Sequence, residues 1–303
     1  MRRLALAAAA VVALVSSPGA QAGGVPVEVA LAGRTIWTTS DSGLRVIDRA
    51  TGKLLARPLS SRPYAVELAV GDGSVWVGTI ENGYIAGSVD RFDLAGRHRR
   101  TPLRFPARAV YEIAFGGHAL WAWIGSPDDA RNSFLVRAGS TRRIHLAGRP
   151  GWLAAGSRGA WLADGLTLRF VSRSGGVRRE PLRRTGPLVA AFGSVWVAHW
   201  ATVVRIDETT HRQLATIPLA GAPYRFAVGP DRLWVATDGR HPHLAAIDPT
   251  RGRVVAMCTL SDLPSGIAAD RRHVWLGESG FNPRVVRLNA TTLRKEKTIP
   301  LDT

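Results

Sequence analysis

The chain has 303 residues, 46% of them hydrophobic and 21% charged, a composition that excludes a wholly disordered protein. Its formal charge is +17, nearly all of it from arginine, because Lys53, Lys295 and Lys297 are the only lysines. Cys258 is the only cysteine, which excludes an internal disulfide and a cysteine-built metal centre.

In chain order, the first element is a leader. Arg2 and Arg3 precede an apolar run from Leu4 to Val15, broken by Ser16, Ser17, Pro18 and Gly19 and followed by Ala20-Gln21-Ala22. This is the pattern of a secretory signal peptide over residues 1–22, cut before Gly23, and it predicts a secreted or periplasmic protein. The run is too short to cross a bilayer as a helix. No later segment holds the roughly 18 uninterrupted apolar residues that a span needs, so no membrane span is expected after cleavage.

From residue 25 onward one sentence repeats. Trp37, Trp76, Trp121, Trp161, Trp196, Trp234 and Trp275 recur every 35 to 45 residues, each inside a short apolar run that follows a turn. Each unit reads as a first strand (ELAVG at 67–71, EIAFG at 112–116), the tryptophan strand, and a variable polar stretch. A third strand (VVRID at 203–207), a tight turn and a fourth strand complete it. No period of 3.6 competes with this pattern. Seven units of four antiparallel strands predict an all-β protein, a seven-bladed β-propeller formed as one domain over residues 23–303. Residues 25–32 supply the first strand of unit one and 295–301 the last of unit seven, so closure by packing, without strand exchange, is expected. The expected state is a monomer.

The phrases PYRFAVGPDRLWVAT (223–237), RVIDRATGKLLARPL (45–59) and VVRIDETTHRQLATIPLAG (203–221) resemble secreted YVTN-type propellers and the related streptogramin lyase-like propellers. The resemblance covers residues 25–301 and speaks to fold more than to activity.

GSVWV occurs twice, at 73–77 and 193–197, but Thr79 after the first copy corresponds to His199 after the second. The third position after each tryptophan marks where the chain leaves the strand, and there Asp164, His199 and Glu278 are ionisable. With Trp200, Asp238 and Arg225 they form the candidate ligand face, because these loops and those between units emerge on one side of a propeller.

Three functions fit these residues. Arginines interleaved with aromatics suit a binding or scaffold module for a small molecule, a protein, or a polyanion such as single-stranded nucleic acid. The lyase-like resemblance implies a divalent-metal-dependent elimination, with His199 as base and Glu278 as its partner or a metal ligand. Only VWLGE (274–278) keeps the glutamate of that family's strand. His241 and His243, beside Asp238, are further metal-ligand candidates, so a divalent cation is the one cofactor the sequence suggests. No phosphate-cradling loop or nucleophile elbow is present. Cys258, between Met257 and Thr259 in a strand-like run, reads as an inert thiol.

Overall fold

The computed structural model describes residues 27–40, 43–55, 65–81, 86–126, 129–146, 151–280 and 282–301. The expected leader, residues 1–22, lies outside them. Every regular element among them is a β-strand, numbered β1 to β27 in chain order. They form seven antiparallel sheets, each a meander of consecutive strands and each one blade of a β-propeller.

Blade 1 comprises β1 (Val29–Ala32), β2 (Thr35–Ser40) and β3 (Gly43–Asp48). Its expected fourth strand begins with a bridge from Leu54 to Ile47 and then leaves the described residues. Blade 2 runs from β4 (Ala65–Gly71) to β7 (His98–Phe105), and blade 3 from β8 (Ala109–Gly116) to β11 (Arg143–Leu146). Blade 4 spans β12 (Trp152–Ala155) to β15 (Val177–Arg183), and blade 5 spans β16 (Leu188–Ala191) to β19 (Gln213–Pro218). Blade 6 extends from β20 (Ala222–Val228) to β23 (Arg253–Thr259), and blade 7 from β24 (Gly266–Ala269) to β27 (Lys295–Pro300).

The seven repeat tryptophans are all buried. Each fills the wedge towards the following blade: Trp196 packs with Phe226, Val228 and Val235 of blade 6, and Trp234 with Ile267, Val274 and Leu276 of blade 7. Burying both faces of each sheet is what stacking achieves and a lone blade cannot.

The GSVW phrase has a specific meaning. Arg91 Nε donates to Ser74 Oγ at 2.8 Å and its guanidinium lies 5.0 Å from the Trp76 ring centroid. Arg205 repeats this with Ser194 at 2.9 Å and Trp196 at 5.0 Å. Each serine fixes an arginine of the third strand as a lid over the tryptophan, a cation–π contact. The VxIDxxTGK phrase is a turn signal. Asp48 Oδ1 accepts from the backbone N–H and hydroxyl of Thr51, and Asp207 Oδ1 does the same with Thr210. These hydrogen bonds hold both carboxyls below their ordinary range.

The ring closes by packing. Among the described residues the strands of blades 1 and 7 run in order, with no exchange. Val27 N donates to Ser265 Oγ at 2.9 Å, which donates in turn to Val27 O at 3.1 Å. Gly277 is pressed against the same carbonyl: a Cβ there would sit 2.1 Å from Val27 O, which only glycine avoids. No helix among the described residues is long and apolar enough to cross a membrane.

Candidate functional site

The hairpins between second and third strands, and the connections between blades, share one face, and there the seven hairpins differ. In blade 2 the hairpin continues to Glu81, so Thr79 stays inside the sheet, buried, with its hydroxyl 2.8 Å from Ser88 Oγ. In blade 5 it ends at the pair His199 and Thr202, leaving a two-residue turn, Trp200-Ala201. That length difference is why one position is a buried threonine in one blade and a half-exposed histidine in the other.

Trp200 occupies the first turn position with φ of +55°, a conformation that tight hairpins ordinarily give to glycine or asparagine. It is 62% exposed. The Arg184 guanidinium stacks 4.9 Å from its ring centroid, and Arg184 itself has φ of +54°. Arg184 N donates to the carbonyl of Leu166, whose side chain is 72% exposed. Leu166, Arg184 and Trp200 thus form one ridge across blades 4 and 5. Two non-glycine residues in left-handed conformations cost roughly 1–2 kcal/mol each, as Asp72, His118, Phe192, His211 and Leu293 do in turns of the opposite face.

Other candidates serve local structure. Asp164 caps its own turn, accepting from Leu166 N, Thr167 N and the Thr167 hydroxyl, and pairs with Arg169 at 2.9 Å. Glu278 is 6% exposed, and its Oε2 accepts from Arg284 Nε at 2.5 Å while Arg284 reaches Asp262 at 3.1 Å. A carboxylate held this way is committed to an arginine. Asp238 is exposed and caps Gly239 N, and His241 is exposed nearby, with His243 half-buried. Among the described residues, no three His, Cys, Asp or Glu side chains converge closely enough to hold a metal ion. Cys258 is half-buried, and burial raises its thiol pKa, which suits an inert group.

Beneath this face lies a constellation the motif reading did not identify. The residue paired with the second position after each repeat tryptophan marks one level around the axis. In order it is Glu28, Glu67, Glu112, Trp152, Pro187, Arg225 and Gly266. Three carboxyls and one guanidinium therefore share one level at the axis, all buried, Arg225 being 2% exposed. In blades 2, 3 and 6 a β-bulge falls immediately before the charged residue, between Ala65 and Glu67, Val110 and Glu112, and Pro223 and Arg225. Two residues also oppose one at this level in blades 5 and 7, which carry no charge there: Gly186 N donates to Ala198 O while Ala198 N donates to Pro187 O, and Ser265 N donates to Gly277 O beside the pair Gly266 and Gly277. Bulges re-aim side chains, and here the irregularity belongs to the repeat, with Glu67, Glu112 and Arg225 placed just after it.

Arg225 Nε donates to Ser265 O at 2.6 Å, its Nη2 lies 3.8 Å from Glu28 Oε1, and its guanidinium covers the Tyr224 ring at 4.3 Å. Neither Glu28 oxygen receives a hydrogen bond among the described residues. Burial raises the Glu28 pKa to about 7 against the pull of Arg225. Glu112 lies well above the ordinary range, through burial and then repulsion from Glu67 and Glu28, although it accepts from Leu153 N.

No family model and no curated protein sequence matches the chain. Solved structures do. Dihydro-heme d1 dehydrogenase NirN, in complex with DHE, superposes with a TM-score of 0.59 at 15% identity, over 96% of this chain and 73% of that one. Apo AztD from Citrobacter koseri gives 0.58 at 15% identity, over 96% and 94% of the two chains. The computationally designed protein Ika8 gives 0.59 at 15% identity, over 90% and 99%. At this identity the likeness is one of fold: the chain is a seven-bladed β-propeller, built on an outline that those chains share.

Proposed function

We propose that the protein is an exported, monomeric binding module, cut after residue 22, whose ligand docks on the loop face across blades 4 and 5. The observation that carries this reading is the Leu166–Arg184–Trp200 ridge. It presents two of the largest exposed apolar groups, Leu166 and Trp200, beside a guanidinium, with Trp200 and Arg184 themselves in left-handed conformations. That combination suits a ring-bearing anion, which would stack on the indole and accept hydrogen bonds from Arg184. His199 and Asp238 lie on the same rim. The solved complex of NirN with DHE supports the use of this outline as a binding scaffold. The repeated turn phrases support kinship with the YVTN-type and streptogramin lyase-like propellers.

Fluorescence titration with aromatic anions (nucleoside monophosphates, flavin mononucleotide, naphthalene sulfonates) tests it. At least one should bind saturably, and Trp200→Ala and Arg184→Ala should each weaken it about tenfold, a typical loss of a stacking or charge-assisted contact. Equal affinity in both variants, or no saturable response across the panel, would remove the ridge as the binding surface.

A further inference from the structure

The opposite face carries a different feature, at the seam where the ring closes. There the turns between first and second strands, and between third and fourth strands, emerge. A cavity of about 440 Å³ lies between blades 7 and 1, lined by Arg49, Asp270, Arg271, Arg272, His273 and Arg287. Arg49 comes from the turn after β3, and Asp270 to Arg272 form the turn between β24 and β25.

Four guanidinium groups face one carboxylate in this lining, and that carboxylate is occupied. Asp270 Oδ1 accepts from the backbone N–H of Arg272 at 2.6 Å and of His273 at 2.8 Å, which shapes the turn. Its ion-pair contact is long, 3.7 Å to Arg49 Nε, and His273 Nδ1 lies 3.6 Å from it. Glu296, just outside, lies 3.1 Å from Arg287 Nε and 3.4 Å from His273 Nε2 while accepting from Asn289 Nδ2. Among the described residues the side chains of Arg271 and Arg272 make no hydrogen bond and no ion pair. An arginine forked onto a carboxylate has its donors satisfied; these do not.

In blades 2 and 5 the residue two before the tryptophan is Ser74 or Ser194, and it takes the Nε–H of the lid arginine. In blade 7 that residue is His273. Arg287 still covers Trp275 at 5.6 Å, but without a serine to bind it. Arg287 instead turns its Nε to Glu296, so four guanidinium groups stand at the seam against two carboxylates, Asp270 and Glu296.

We propose that this seam cavity is a binding site for a phosphate-bearing anion, held by Arg49 from blade 1 and by Arg271, Arg272 and Arg287 from blade 7. Phosphate oxygens match the bidentate guanidinium fork, and more than one phosphate group would engage both blades at once. Because no strand exchange joins these blades among the described residues, such a ligand also clasps the ring, and binding raises the melting temperature by mass action. The site is on the face away from Trp200 and stands or falls separately from the ridge.

Calorimetric titration of the purified protein with pyrophosphate, in sodium chloride near physiological strength, tests this, with inorganic phosphate and phosphatidylglycerol vesicles as parallel arms. The expected result is saturable binding of one pyrophosphate per chain. It should weaken at least about tenfold in Arg271→Ala/Arg272→Ala and in Arg49→Ala, and stay unchanged in Arg178→Ala/Arg179→Ala on blade 4. Vesicle binding lost in the same variants, with weak binding of the free anions, would identify the phosphate as a lipid headgroup. Arg49→Ala lies outside the Asp270 turn, so it keeps the test sound if the double variant folds poorly. No saturable binding in any arm, or equal loss in the blade 4 variant, would overturn the proposal.

Discussion

Replacing Arg225 with methionine is expected to lower the melting temperature on the order of 10 °C at neutral pH. The guanidinium is the one cation at a level that holds Glu28, Glu67 and Glu112, and all four groups are buried. Removing one member of a buried charge set costs about 3–5 kcal/mol, because the remaining charges keep their desolvation penalty and lose their counter-ion. For a chain of this size each kcal/mol moves the midpoint by roughly 2–4 °C. Methionine keeps most of the volume, so packing contributes little to the loss. The loss should be smaller at pH 5, where the carboxyls can take up protons. A thermal melt at both pH values checks this; a drop of the same size at each would assign the cost to packing or to the lost bond with Ser265.

Stability is expected to fall as the pH rises from about 4.5 to about 7. Glu28 titrates near 7 when folded and at its ordinary 4.5 when unfolded. Between those values the folded state binds the extra proton, so raising the pH favours unfolding. The contribution is fully present below the unfolded pKa and gone above the folded one, and at about 1.4 kcal/mol per pKa unit it amounts to about 3 kcal/mol. Glu112 adds in the same direction. The depressed carboxyls of Asp48, Asp207 and Asp248 act oppositely: their stabilisation is present above the ordinary carboxylate range and lost as the pH falls through their folded values. Denaturant midpoints from pH 4 to 8 should therefore peak near pH 5, and Glu28→Gln should flatten the decline. A midpoint that rises steadily to pH 8 would contradict the axial account.

The fold was legible because its signal is periodic. Seven tryptophans mark seven wedges, and the turn phrases proved to be aspartate caps on the third-to-fourth-strand hairpins. Order within blades and closure without exchange also followed from where the repeat begins and ends. The axial level was not legible for a physical reason. Glu67 in ELAVG and Glu112 in EIAFG look like polar strand starts beside a loop, and only the ring brings them to one axis. A hint was present: both strands are otherwise apolar and packed on two faces, which leaves an ionisable side chain no solvent. Arg225 was read as a rim arginine because its loop lies on the rim, whereas the bulge at Tyr224 precedes a side chain buried beneath it. Some of the arginines also have structural work, as the lids of Arg91 and Arg205 show.

The most direct test of the binding-module reading is the melting temperature of Trp200→Gly combined with Arg184→Gly. Both positions have left-handed backbone that glycine adopts without strain. If the ridge exists to meet a ligand, relief of roughly 1–2 kcal/mol at each position offsets the lost stacking, and the variant melts at or above the wild-type temperature. A fall of several degrees would mean that Trp200 and Arg184 hold the fold together, and the ridge would lose its claim to be a site.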